Sequence, residues 1–221
     1  MVNMILTSSI RERLASISVA RSVLGKYRYL VFRYRLKQMT NNKRNPRIVI
    51  GASGISSTGW IATEQSWHDI TSRQSWLTLF EPGKVNRILA EHVIEHLNPL
   101  EVVQATQNFF EFLEPGGYAR IAVPDGNHSS PEYIENVRPG GIGPGALDHK
   151  VLYTFATLNE LFTGQGFIVN GLEYFNDSGD FIANHWKNED GMIYRSFLND
   201  ERNVGGTKKY TSIIIDAYKP R

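Results

Sequence analysis

Between Val85 and Val123 the chain places an apolar run, a capped helical segment and a second apolar run in succession, and this order restricts the fold more than any other feature. Val85 to Ala90 reads as a buried strand. Asn98, Pro99 and Glu101 then provide an N-cap, a proline at the first helical position and an acid in the first turn, so the spacing predicts a helix to about Leu113. Glu114-Pro115-Gly116-Gly117 supplies turn residues, and Tyr118 to Val123 reads as the next strand. Repetition of strand, helix and strand predicts a parallel sheet flanked by helices, with ligands at the carboxyl ends of its strands. Upstream, Arg47-Ile48-Val49-Ile50 runs directly into the small residues Gly51-Ala52-Ser53-Gly54, which let a ligand approach the backbone. Trp60 to Thr63 reads as a second strand closed by Glu64, where nucleotide-binding α/β folds place a ribose-binding carboxylate; a surface acid in a turn fits the spacing equally well. Gly54, Glu64, Glu91, His92 and Asp125 all fall at strand ends and are expected to converge.

The charge pattern divides the chain near residue 45. Residues 1–47 hold 11 Lys or Arg against the single acid Glu12, and the remainder carries a balance of −8 although the whole chain is only +2. Ile10, Leu14, Ile17, Ala20, Leu24, Tyr27, Val31 and Tyr34 recur at steps of three and four, and Ser9 with Glu12 forms a capping box. A basic amphipathic helical segment with its linker is therefore expected over residues 1–45, ahead of a second domain over 46–221. Its apolar stripe suits packing on a protein body first, peripheral contact with an anionic membrane second; nucleic acid is not an expected partner. No apolar run reaches membrane-spanning length, and the cytoplasm is the default expectation, with membrane-peripheral contact through this helix as an addition. Cysteine is absent, which excludes disulfides, thiolate metal sites and a cysteine nucleophile.

His92-Val93-Ile94-Glu95-His96 matches the H-x-x-E-H pattern of inverted zinc peptidases. Those imidazoles need a continuous helix beneath them, whereas here a strand ends just before the motif and a new helix is capped just after it. No metal is expected on this reading.

IVIGASG, GWIATE, ILAEHVIEHL and FLEPGGYARIAVPDG, in that order, resemble the successive motifs of small class I S-adenosylmethionine-dependent methyltransferases of the type 11 kind, over about Arg47 to Phe167. The resemblance implies a Rossmann-like, mostly parallel sheet flanked by helices, with an antiparallel C-terminal strand pair and the N-terminal helix appended. It implies S-adenosylmethionine as cofactor, with Gly51, Ala52, Ser53 and Gly54 near its methionine part, Glu64 on its ribose, and Glu91 and His92 lining the cleft. The pair Glu95 and His96 is implied to be structural, with Glu95 or His96 satisfying backbone groups at the next helix start. The acceptor is expected to be a small molecule or a saccharide. The alternative reading is a non-catalytic relative serving as a binding or membrane-associated module, because the glycine loop is shorter than the family's fuller G-x-G-x-G.

The segment after Asp125 is rich in polar side chains and in glycines at 140, 141, 143 and 145, a composition typical of functional loops. Asp125 and His149 are the candidates for proton removal, and His128, Tyr133, Lys150 and Arg195 for acceptor binding. His68-Asp69-Ile70 reads as the remnant of a third strand, Ser72 to Phe80 as a short helix, and Thr157 with Glu160 as a cap opening a helix that stops near Gly164. Phe167 to Phe175 and Tyr210 to Tyr218 read as the last strands, with a solvated insertion over Asp177 to Asn203 between them.

Overall fold

A computed structural model describes residue 23 and residues 25–39, 44–51 and 59–221. The chain separates into two units, divided between Arg44 and Asn45. In the first, residues 25–39 are helix α1, with Phe32 buried and Tyr27, Leu30 and Tyr34 exposed. Tyr27 and Tyr34 of the expected apolar stripe are thus exposed, and the buried Phe32 lies at another angle around the helix. The Ser9 capping box and the start of the stripe lie outside the described residues. No helix among the described residues is long and apolar enough to cross a membrane.

The second unit is built on one seven-stranded sheet. Its strands are β1 (Arg47–Ile50), β2 (Ile61–Ala62), β3 (Val85–Glu91), β4 (Leu113–Pro124), β5 (Ile168–Phe175), β6 (Phe181–Ala183) and β7 (Ser212–Tyr218), in the order β2-β1-β3-β4-β7-β5-β6. β2, β1, β3 and β4 pair in parallel; β7 enters antiparallel between β4 and β5, and β6 pairs antiparallel with β5. This is the Rossmann-like arrangement, a parallel core closed by antiparallel strands. Helices α2 (Arg73–Leu77), α3 (Pro99–Phe112), α4 (Pro131–Val137) and α5 (Phe155–Thr163) complete it.

Local chemistry explains most boundaries. The Asn98 side chain accepts from the Leu100 and Glu101 amides at 3.0 Å each, and the Glu101 carboxylate accepts from the Asn98 amide at 2.8 Å. That reciprocal cap starts α3. Val102, Ala105, Phe109 and Phe112 then recur on one buried face. The turn residues Glu114 to Gly117 belong to β4 instead of preceding it. They bulge from the ladder, whose register passes from Val85 opposite Leu113 to Arg87 opposite Tyr118. A Cβ at Gly117 would sit 2.7 Å from the Asn86 carbonyl oxygen, so only glycine lets the strands close after the bulge.

The expected strand at His68 to Ile70 does not form; the segment is irregular and enters a turn at Ile70. Asp69 Oδ1 accepts from the Thr71 amide at 2.9 Å and hydroxyl at 2.7 Å, local bonds that compete with a sheet ladder. His68 packs edge-on against Trp76, and burial lowers its pKa to about 4, so the ring is neutral. The cap of α5 lies three residues earlier than expected: Thr154 is the N-cap and Thr157 its partner at the third helical position.

The segment between β5 and β7 also departs from expectation. Trp186 and Ile193 are buried and join Val49, Leu89, Ala122, Leu172 and Ile214 in one apolar cluster. The insertion therefore covers one sheet face instead of being solvated throughout, and the Trp186 Nε1 donates to Glu173 at 2.9 Å.

Candidate functional site

β1 has β2 on one side and β3 on the other, so the chain reverses its direction of travel across the sheet at β1. Beyond the carboxyl ends of strands at such a reversal the connections diverge and leave a crevice. A cleft of about 1560 Å³ opens there, lined by Gly51, Glu91 and His92 on the strand ends.

Two backbone positions shape its floor. Gly51 has φ 64° and follows β1 directly; His92 has φ 52°, the one non-glycine with positive φ among the described residues. A left-handed histidine costs about 1–2 kcal/mol and persists only where its surroundings hold it. Its amide donates to the Ala122 carbonyl at 2.8 Å, and its Nε2 lies 3.0 Å from Ser212 Oγ. Ser212 Oγ donates to the Arg195 carbonyl at 2.7 Å, so its oxygen accepts the His92 Nε2 proton and leaves Nδ1 with a lone pair. Burial, followed by the Arg195 cation, holds the His92 pKa well below 6.5. The ring is neutral at neutral pH.

Glu91 fastens the insertion over the cleft. Its oxygens accept from the amides of Tyr194 at 3.1 Å and Arg195 at 2.8 Å, with the Arg195 guanidinium at 3.6 Å. Burial raises its pKa, and the two amides oppose the shift.

Glu95 does not satisfy the helix start, which Asn98 and Glu101 already do. It lies in a 3-10 turn, Ile94–His96, with its side chain fully buried. Neither carboxylate oxygen has a hydrogen-bond partner among the described residues. Its Oε1 is 3.3 Å from His92 Nδ1 and 3.9 Å from His149 Nε2. Burial raises its pKa to about 8. His92 and His96 do not share a helix face, so the inverted-peptidase arrangement is absent; His96 instead meets the His149 ring edge-on at 4.8 Å between centroids.

On the acceptor side, His149 lines the cleft with its Nδ1 2.7 Å from the Val137 carbonyl. His128 also lines it, with both nitrogens engaged: Nδ1 accepts from the Ser130 amide at 3.0 Å and Nε2 donates to the Lys208 carbonyl at 2.8 Å. Tyr133 stacks on it at 3.9 Å, and its hydroxyl donates to the Thr211 carbonyl and accepts from the Asp125 amide. Burial raises that hydroxyl's pKa well above 10, so it is a fixed hydrogen-bonding strut. Asp125 is fully buried behind the lining. Its oxygens accept from the amides of Asn127 at 2.9 Å and Phe175 at 2.7 Å, and burial raises its pKa to about 6. Lys150 is exposed, and neither it nor Glu64 is among the described lining residues. Arg195 is. Ala52, Ser53 and Gly54 lie outside the described residues.

Tyr210 and Ser212 were not among the residues expected at the site, and Arg202 was expected only as part of the solvated insertion. Arg202 lies 3.4 Å above the Tyr210 ring and pairs with Asp200 through two bonds of 2.8 and 2.6 Å. An antiparallel β7 brings its amino end to the carboxyl ends of β3 and β4, so strand direction was the signal that could have placed Tyr210 and Ser212 here.

Among solved structures, the chain is similar to a SAM-dependent methyltransferase of Archaeoglobus fulgidus, at 15% identity over 87% of this chain and 94% of that one, with a TM-score of 0.43. It is similar to a SAM-dependent methyltransferase of Thermotoga maritima at 14% identity, over 94% and 97% of the two chains, with a TM-score of 0.44. A third, from Methanosarcina mazei, is 15% identical over 75% and 70%, with a TM-score of 0.42. No family model and no curated protein matches the chain.

Proposed function

We propose that the protein transfers a methyl group from S-adenosylmethionine to an oxygen or other nucleophile on a small molecule or glycan. The supporting observation is the meeting of Gly51 with Glu91 and His92 at the sheet's point of reversal. Those are the two segments whose motifs resemble the cofactor-flanking motifs of class I methyltransferases. A Cβ on Gly51 would come 3.1 Å from Val93 Cγ2, so glycine there keeps the backbone open to a ligand. When bound, S-adenosylmethionine supplies an already activated methyl group. The chain's task is then positioning. Gly51 to Gly54 would hold the methionine part, Glu64 the ribose hydroxyls, and Glu91 and His92 the near wall. Arg195 and the rings of His128 and Tyr133 would orient the acceptor. With its Nδ1 proton given to Val137, His149 keeps an Nε2 lone pair to assist removal of a proton from a hydroxyl. Asp125 would brace Phe175 and Asn127 and so hold this wall in place.

The test is turnover: purified protein, S-adenosylmethionine with a labelled methyl group, and a panel of hydroxylated small molecules and oligosaccharides. Labelled product with matching S-adenosylhomocysteine supports the proposal. Cofactor binding with no transfer to any acceptor class favours the non-catalytic alternative.

For the first unit we propose peripheral contact with anionic membrane. Val23, Tyr27, Leu30 and Tyr34 fall at steps of four, three and four on α1 and are all more than 60% exposed, beside exposed cations such as Lys26 and Lys37. The full chain is expected to sediment with phosphatidylserine-containing vesicles and to lose most of that binding in Tyr27→Ser/Leu30→Ser. Equal recovery of both proteins in the pellet would contradict it.

A further inference from the structure

Of Glu95, His96 and His149, the methyl-transfer proposal uses only His149, and an ion held at its Nε2 would take the place of that nitrogen's role as base. The Val137 carbonyl can only accept, so the proton of His149 is on Nδ1 and its Nε2 presents a lone pair toward Glu95. The Ser212 network likewise turns the His92 Nδ1 lone pair toward the same carboxylate. A fully buried carboxyl group with no hydrogen-bond partner thus faces two electron-pair donors. Where that carboxyl is ionised, acceptors confront acceptors in a buried space, and a proton or a metal ion between them relieves the conflict.

One ligand atom each from Glu95, His96 and His149 lie within 4.8 Å of one another. We propose that these three residues form a binding site for a divalent first-row transition metal of the zinc class, at the floor of the cleft. Two imidazoles and one carboxylate suit such ions and leave coordination positions open. The Val137 carbonyl on His149 Nδ1 is the outer hydrogen bond that orients a metal-binding imidazole. Ligand atoms about 2.1 Å from a tetrahedral ion are about 3.4 Å apart, so the three side chains close by roughly 1 Å on binding. His96 and His149 both line the cleft, which turns the open positions toward a ligand there. If the cleft holds a hydroxylated acceptor, a step that rests on the methyl-transfer proposal, the ion would bind that oxygen and lower its pKa.

The test needs no cofactor. Full-length protein freed of metal by chelation is titrated with Zn²⁺ by calorimetry and with Co²⁺ by visible absorption. One ion per chain and ligand-field bands of low-coordinate Co²⁺ are expected, with affinity lowered at least about 10-fold in Glu95→Gln and in His149→Ala. His185→Ala, at an exposed histidine outside the group, is expected to bind as the parent does. Circular dichroism verifies folding, and the near-isosteric Glu95→Gln carries the conclusion if His149→Ala unfolds. Absence of stoichiometric binding, or binding indifferent to Glu95→Gln, overturns the proposal. So does an infrared band of protonated carboxyl that persists in excess Zn²⁺ and vanishes in Glu95→Gln, since a shared proton then occupies the space. Because S-adenosylmethionine takes no part, failure here leaves the methyl-transfer proposal untouched, and the converse also holds.

Discussion

Asp216→Ala is expected to lower the unfolding free energy by about 3–5 kcal/mol, a large part of the stability of an ordinary domain. Arg120 and Asp216 stand opposite each other on β4 and β7, where the parallel core meets the antiparallel strands. The guanidinium Nε and one terminal nitrogen each donate to a separate carboxylate oxygen at 2.8 Å, and both side chains are almost fully buried. Removing the carboxylate leaves a buried cation with two donors unpaired, and desolvation is no longer offset. The other terminal nitrogen donates to Gly191 at 2.7 Å and Lys187 at 3.2 Å, which ties the pair to the insertion covering the sheet face. For that reason Arg120→Met/Asp216→Leu should recover only part of the loss, since two carbonyls still lose their donor. Urea unfolding checks this: the midpoint falls with little change in slope for Asp216→Ala and rises part of the way back in the double variant. Wild-type stability in Asp216→Ala would contradict this account of the sheet junction.

Gly51→Val is expected to weaken S-adenosylmethionine binding by about 100-fold or more, equivalent to roughly 3 kcal/mol. A β-branched residue is poorly tolerated at φ 64°, and its Cβ would lie 3.1 Å from Val93 Cγ2. Any relief moves the β1 loop or the turn after β3, the two segments proposed to flank the cofactor. Backbone strain alone would also cost stability, so Gly179→Ala serves as control. Gly179 has φ 82° with nothing within 4 Å of a new Cβ, and it is not part of the cleft lining. It should be destabilised by about 1 kcal/mol and bind cofactor normally. Equal affinities in Gly51→Val and the parent would place the cofactor elsewhere or nowhere.

The succession β3, α3, β4 was readable because its signals are local: an apolar run, an asparagine cap with its glutamate partner, and turn residues in order. Even there Glu114 to Gly117 were read as turn residues between helix and strand, since only pairing with β3 shows that they bulge from a strand. Thr154 and Thr157 both qualify as caps, and packing of the helix chooses between them. Gly51, Glu91 and His92 were legible as strand-end residues, and the cleft does form there. Asp125 also ends a strand, yet one of its carboxylate oxygens is engaged by the Phe175 amide fifty residues away on β5, which no local pattern encodes. The burial of Glu95 depends on His92 and His149 closing over it from two different connections. Trp186 looked like a solvent-facing aromatic because the apolar sheet face it covers is assembled from five strands.

The most direct test of the central claim is calorimetric titration of the full-length protein with S-adenosylmethionine and, separately, with S-adenosylhomocysteine. The account predicts one site per chain with micromolar affinity, about −8 kcal/mol, for both ligands. Folded protein that releases or absorbs no heat of binding with either ligand, and whose melting temperature neither ligand raises at millimolar concentration, would contradict it.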